Sequence, residues 1–159
     1  MIRAIFLDVD GTLISFSTHE IPASARRALT QAHERGVRLF IATGRAANDL
    51  GPLEGIPYDG VVSLNGARCV ANDGRVVSLH PIPRADFERA LALSEEQDFA
   101  MGLELEEGVF VNRVTPDVER VAHMVAHPVP EQTDLRELFG RVECCQLCFY
   151  FDAETQRRV

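Results

Sequence analysis

Lysine is missing from this chain: all 16 of its Lys+Arg residues are arginine, and tryptophan is absent as well. No apolar run approaches the length of a membrane-spanning helix, which excludes that class of protein. The apolar stretch 2–7 is too short for the core of a signal peptide, and Asp8 interrupts it, so a cytoplasmic protein is expected. Positive charge is scarce. A net charge of −8 argues against a nucleic-acid partner held by its phosphates, because binding would begin against repulsion. Small phosphorylated ligands stay open, since a bound divalent cation can reverse the local field. Cysteine is limited to Cys69, Cys144, Cys145 and Cys148. Cys145 and Cys148 have CxxC spacing, but they fall in 142–151, which reads as a strand on which residues three apart face opposite ways. With no second pair, the cysteines are expected to be buried apolar side chains.

What is present has a clear order, without repeats or low-complexity segments. Residues 2–7 form a nearly continuous apolar run, suited to a strand buried on both faces of a parallel sheet. Ala25, Ala28, Leu29 and Ala32 follow helical spacing, with Pro22 near the start and Gly36 past the end. Residues 37–42 read as a second buried strand, a short helix is expected from about Ala46, and 60–64 read as a third strand. This β-α-β-α-β order predicts a doubly wound α/β fold. Residues 67–70 and 75–79 flank Asn72-Asp73-Gly74, a hairpin turn, and Pro81 and Pro83 then mark a boundary. The expected domains are therefore 1–80 and 81–159.

The second half reads as α+β. Phe87, Ala90, Leu91 and Ser94 mark a helix; Phe99, Met101, Leu103 and Leu105 alternate as a half-buried strand; and Val109 to Val111 return after a turn at 106–108. Thr115 caps a helix with Pro116 at its first position and Val118, Val121, Ala122 and Val125 on one face. Leu135, Leu138 and Phe139 suggest a further short helix. His123 and His127, four apart, have the spacing of metal ligands, but no third ligand accompanies them, so they read as solvated helix residues. Glu104, Glu106 and Glu107 read as a charged outer surface.

Three expected strands end in polar residues suited to one reaction: Asp8-Val9-Asp10-Gly11-Thr12-Leu13, Thr43-Gly44-Arg45 and Asn65-Gly66-Ala67. Ligands of open α/β sheets bind beyond the carboxyl ends of the strands, so the three clusters should converge there. A carboxylate can attack phosphorus and split a hard hydrolysis into formation and breakdown of an acyl phosphate. It needs a cation to offset the repulsion between two anions, and Mg²⁺ prefers such oxygen ligands. A second carboxyl group two residues on can protonate the leaving oxygen and later activate water. Gly11 lets the backbone turn so that amides can face a phosphate, and the Thr43 hydroxyl can hold a phosphoryl oxygen with the Gly44 amide nearby.

DVDGTL after an apolar strand, ATGR at 42–45 and SLNGA at 63–67 together resemble the haloacid dehalogenase (HAD) superfamily, in its Cof-like branch. The resemblance runs along the whole chain in order. It implies the first half of a Rossmann-like HAD core over 1–80 and the start of a class IIB α/β cap over 81–159. It further implies a Mg²⁺-dependent phosphatase of small phosphorylated metabolites, sugar phosphates among them, working through an aspartyl-phosphate. By that resemblance Asp8 is the nucleophile and Asp10 the general acid/base. The Asp8 carboxylate and the Asp10 main-chain carbonyl bind Mg²⁺, Thr43 holds the phosphoryl group, and Arg45 and Asn65 line the site.

Here the missing lysine matters. The family pattern includes a basic residue, usually lysine, that steadies the phosphoryl charge, and an acidic pair in a GD-x-x-ND type segment that completes the Mg²⁺ shell. The chain contains neither a lysine nor a Gly-Asp dipeptide, and Asp152 and Glu154 open an expected helix within the cap. The reading is of a fragment that ends inside the cap, with an exposed sheet edge and apolar surface, marginally stable unless it forms a homodimer or keeps its other half. A non-catalytic phosphate- or partner-binding module is the alternative, and a phosphotransferase or mutase would use the same aspartyl-phosphate. A signalling receiver domain is set aside, because its acidic pair and phosphorylated aspartate lie on different strands.

Overall fold

The run that follows the N-terminus pairs as strand β1 (Ala4–Leu7), and helix α1 (Ala23–Glu34) returns the chain to β2 (Arg38–Ala42). Strand β3 (Gly60–Ser63) lies on the far side of β2, and β1, β2 and β3 run parallel. Two antiparallel strands, β4 (Arg68–Ala71) and β5 (Val76–Leu79), complete an open sheet ordered β1-β2-β3-β4-β5. The computed structural model of the chain describes residues 2–15, 17–18, 20–47, 49–125 and 127–157. The chain divides into two units, Met1–His80 and Pro81–Val159.

Alternation along the strands decides what each face of the first sheet meets. Ile5, Leu7, Leu39, Ile41 and Val61 share a core with Leu29 of α1 and with Leu50, Leu53 and Ile56 of the segment before β3. The opposite face carries Phe6 and Phe40, paired in register and stacked at 4.9 Å, and Phe6 is 62% exposed. The hairpin between β4 and β5 closes with Gly74 at φ 85°, its N–H donating to the Ala71 carbonyl.

In the second unit the elements run α2 (Arg84–Glu96), β6 (Ala100–Leu105), β7 (Gly108–Val111), α3 (Pro116–Met124), β8 (Glu131–Gln132), α4 (Leu135–Phe139), β9 (Gln146–Tyr150) and α5 (Ala153–Gln156). The sheet order is β8-β7-β6-β9, antiparallel except for the β7–β8 pair. Phe87 and Leu91 of α2 and Leu135 of α4 bury one face with Met101, Leu103 and Leu105, and Val118 of α3 packs with Ala100, Val111 and Tyr150 on the other. Thr115, Asp134 and Asp152 cap α3, α4 and α5 with side-chain oxygens that accept backbone N–H bonds.

Several local expectations change. Among the described residues between Ala46 and β3 no α-helix forms: the chain makes turns and a 3₁₀ turn at Gly51–Leu53, because Gly51 and Pro52 are poor helix residues and Pro52 has no N–H to donate. Asn48, inside that expected helix, lies outside the described residues. Strand β1 is not buried on both faces; it is a sheet edge, with one face left open. Strand β6 is buried along nearly its whole length rather than half-buried, since it lies between two strands with helices on both faces. The last strand is shorter than 142–151 and leaves Cys145 outside it; only Cys144 is buried, while Cys69, Cys145 and Cys148 are half-buried. Glu104 belongs to the sheet, accepts a hydrogen bond from Gln146 Nε2 and lies 3.7 Å from the Cys148 Sγ. Helix α3 stops at Met124, so His127 is not a helix residue and Val125 is exposed. Among the described residues no helix is long and apolar enough to cross a membrane.

Candidate active site

Asp8 is the first residue beyond β1, and the DVDGTL loop turns back on itself immediately after it. The Val9 carbonyl accepts from the Leu13 and Ile14 amides at 3.0 and 2.9 Å, and the Gly11 N–H donates to the Ile14 carbonyl at 2.8 Å. Gly11 adopts φ 78°, a left-handed conformation that favours glycine. Apolar and polar residues sort cleanly in this turn. Val9, Leu13 and Ile14 are buried in the first core, while Asp8, Asp10, Gly11 and Thr12 stay exposed. Burial of the first set therefore presents the second.

Thr12 donates from Oγ1 to Asp8 Oδ2 at 2.9 Å. Among the described residues this is the only partner of the Asp8 carboxylate, and its Oδ1 is open. Asp10 is held quite differently. Arg45 Nε donates to Asp10 Oδ2 at 2.9 Å and Nη2 to Oδ1 at 2.7 Å, a bidentate pair. That hydrogen bonding holds the Asp10 carboxyl below its ordinary value of 3.8, against a smaller opposing effect of burial, and raises Arg45 in turn. Arg45 Nη1 also donates to the Asp49 carboxylate and to its main-chain carbonyl, each at 3.2 Å.

The ends of β2 and β3 are fastened to each other by main-chain bonds. The Thr43 N–H donates to the Val62 carbonyl, Leu64 N–H to the Arg45 carbonyl and Asn65 N–H to the Thr43 carbonyl. Thr43 is 6% exposed, and its Oγ1 accepts from the Arg45 N–H at 3.1 Å. The hydroxyl proton has no acceptor among the described residues. A Cβ at Gly44 would stand 3.2 Å from Asn65 Oδ1, a tight contact that the Asn65 side chain would have to relieve. Leu64 and Asn65 both take left-handed backbone, at φ 49° and 54°, ahead of Gly66 at 94°.

The structure thus joins Asp10 to Arg45, Arg45 to Thr43, and Thr43 and Gly44 to Asn65. Asp8 shares the β1 loop with Asp10 but bonds to none of the β2 or β3 residues. Two participants escaped sequence reasoning. Thr12 was visible inside the motif, as the hydroxyl four residues after Asp8. Asp49 had only its spacing of four from Arg45 to suggest it.

The oxygens left without partners among the described residues fit part of a Mg²⁺ shell. The Asp8 Oδ1 and the Asp10 main-chain carbonyl are hard donors two residues apart on one turn, and Mg²⁺ keeps several waters when few protein ligands are supplied. Among the described residues no group of three His, Cys, Asp or Glu side chains assembles into a metal site.

Known proteins resemble this chain in sequence and fold. The phosphatase BT1666 from Bacteroides thetaiotaomicron, of the HAD superfamily, is 54% identical in sequence with a TM-score of 0.93 over 100% of this chain and 59% of its own. The subclass IIB sugar phosphatase BT4131 is 28% identical with a TM-score of 0.83 over 98% of this chain and 61% of its own. A putative phosphatase of Bacillus subtilis, YkrA, is 30% identical over 95 residues, 59% of this chain and 36% of the relative. The chain therefore spans about three fifths of the length of these solved structures. The model of the haloacid dehalogenase-like hydrolases matches residues 5–158, and the chain belongs to that family.

Proposed function

We propose that this chain carries the nucleophile half of a Mg²⁺-dependent phosphomonoesterase of the cytoplasm, acting on small phosphorylated metabolites such as sugar phosphates. The observation that carries the reading is the contrast between two carboxylates on one turn. Asp8 has one oxygen steadied by Thr12 and the other open, whereas both oxygens of Asp10 are occupied by Arg45. One group is presented for attack, and the other is held beside it for proton transfer.

In the first step Asp8 Oδ1 attacks phosphorus, the ester P–O bond breaks, and Asp10 delivers a proton to the leaving oxygen. In the second, Asp10 takes a proton from water as that water attacks phosphorus, and the bond to Asp8 breaks, releasing phosphate. The Arg45 clamp favours the ionised Asp10 that this second step requires and disfavours the protonated form that the first step uses. Thr43 donates its free hydroxyl proton to a phosphoryl oxygen, the Gly11 and Gly44 backbone approaches closely, and Asn65 lines the site. Bound Mg²⁺, held by the Asp8 carboxylate and the Asp10 carbonyl, would offset the repulsion between Asp8 and the phosphate. Met1–His80 is read as the first half of the Rossmann-like core and Pro81–Val159 as the start of the cap. The sugar-phosphate class rests on the likeness to the sugar phosphatase BT4131.

The test is hydrolysis of p-nitrophenyl phosphate with and without Mg²⁺, in the parent and in Asp8→Asn. Turnover that needs Mg²⁺ and disappears in Asp8→Asn is expected; turnover that survives the substitution removes Asp8 as nucleophile. On the 159-residue chain, beryllofluoride, a mimic of a phosphoryl group on a carboxylate, gives the same answer without turnover. An Asp8-dependent ¹⁹F signal is expected.

A further inference from the structure

Arg45 is a long cation fixed from two sides. Nε and Nη2 face Asp10, while Nη1 is taken by both the carboxylate and the main-chain carbonyl of Asp49. The Asp49 N–H donates to the Ala46 carbonyl at 3.1 Å, so a turn of the backbone brings Asp49 round to the back of the guanidinium. Among the described residues no α-helix contributes to this placement. Asp49 adds negative charge close to a site that must receive a dianion, so charge alone would make it a hindrance to binding. What it supplies is geometry. An arginine side chain loses considerable rotamer freedom when fixed, and a planar fork anchored at Nη1 has its Nε–Nη2 edge aimed in one direction.

We propose that Asp49 is a positioning residue that holds Arg45 on Asp10, and so keeps the Asp10 carboxyl oriented to give a proton to the ester oxygen and to take one from the attacking water. The role in turnover rests on the phosphatase reading above; the geometric role does not. Four acceptor oxygens belonging to two residues define the guanidinium plane, and Asp10 follows that plane because both its carboxylate oxygens are engaged.

The consequences separate positioning from structure. A general acid matters most for a poor leaving group. Asp49→Ala is therefore expected to lower kcat about tenfold for an alkyl phosphate and less than about twofold for p-nitrophenyl phosphate, with KM within about twofold for both. Asp49→Asn keeps an acceptor oxygen and restores most of the alkyl phosphate rate. Equal losses on both substrates, a change in KM alone, or an unchanged kcat for the alkyl ester overturns the catalytic role. Turnover that persists in Asp8→Asn counts against the phosphatase reading instead.

A second readout decides the geometry on the 159-residue chain whether or not it turns over. The Nε–H of Arg45 bonds to Asp10 and not to Asp49, so its hydrogen exchange reports the clamp at a distance from the substitution. The resonance is assigned by its loss in Arg45→Lys. Exchange at least tenfold faster in Asp49→Ala, with the amide spectrum otherwise preserved, is expected. Unchanged exchange at Nε overturns the proposal, because Asp49 then has no hold on the face of Arg45 that meets Asp10.

Discussion

Replacing Thr43 by valine and by serine sets two readings of this residue against each other. Thr43 is buried, and its Oγ1 accepts the Arg45 N–H at 3.1 Å. Valine keeps the shape and adds apolar surface, so packing alone favours it. It also leaves the Arg45 N–H without its acceptor, and an unsatisfied buried donor costs about 1–3 kcal/mol. Serine keeps the oxygen and loses one methyl, worth about 0.8 kcal/mol. The more apolar substitution is thus expected to be the worse by about 1 kcal/mol. In a unit the size of Met1–His80, a loss of about 1–2 kcal/mol lowers Tm by roughly 5–15 °C. Binding moves the same way: the hydroxyl proposed to donate to a phosphoryl oxygen is gone in valine and present in serine. A lost hydrogen bond to a charged group of about 1.5–3 kcal/mol weakens orthophosphate binding about 10–150-fold. Thermal melts and calorimetric titration with phosphate and Mg²⁺ measure both quantities. If Thr43→Val melts with the parent while Thr43→Ser is destabilised, the hydroxyl is idle and Thr43 is a packing residue.

Gly60→Ala should lower stability by about 1–3 kcal/mol, because its Cβ would stand 2.8 Å from the Val70 carbonyl oxygen of the neighbouring strand. Gly51→Ala, with nothing within 4 Å, is the control and should melt close to the parent. The Asp10–Arg45 pair should add stability that is present above the ordinary carboxylate pKa near 3.8 and lost as pH falls through the depressed folded value. The gap between parent and Asp10→Asn in denaturant titrations should therefore be level from neutral to mildly acidic pH and close below about pH 4. With Asp10 42% exposed, solvent screening keeps it within about 1 kcal/mol. Phe6→Ser should cost at most about 1 kcal/mol and reduce self-association in sedimentation, whereas Phe87→Ser, wholly buried, should cost several times more.

The parts of the molecule legible in the sequence are those fixed within a few residues. The DVDGTL turn is one: its exposed and buried positions are set by the apolar residues inside the motif itself. The caps at Thr115 and Asp152 are others, as is the Asn72-Asp73-Gly74 hairpin. What escaped depends on partners far along the chain. Arg45 reaches Asp10 across 35 residues, and nothing local to ATGR announces that it will clamp a carboxylate rather than begin a helix. The continuous run of β1 resembles a buried strand because periodicity describes a strand's faces and not its place in the sheet order. Strand β6 misled in the opposite sense. Its alternation of large with small residues reads as one wet face, yet the small residues make room for neighbours. A Cβ on Gly102 would meet the Phe110 carbonyl at 2.9 Å and Val111 at 3.2 Å.

The same distinction explains why three separate motifs could be expected to converge before their contacts were known. Parallel pairing of β1, β2 and β3 brings their carboxyl ends to one edge whatever side chains follow, so convergence is a property of topology. Precision needs more, and here it comes from the main chain. Leu64 and Asn65 both accept left-handed backbone, at a cost of roughly 1–2 kcal/mol each for residues with a Cβ. The amides of the same two residues donate to the Arg45 and Thr43 carbonyls. These bonds hold the β3 turn against the β2 turn and place the Asn65 side chain over the bare Cα of Gly44. A strained turn tied down at each strained residue cannot relax without breaking the tie, so the polar groups at this edge are set by backbone geometry before any ligand arrives. The side-chain clamp of Asp49, Arg45 and Asp10 then orients one group within a frame that is already rigid.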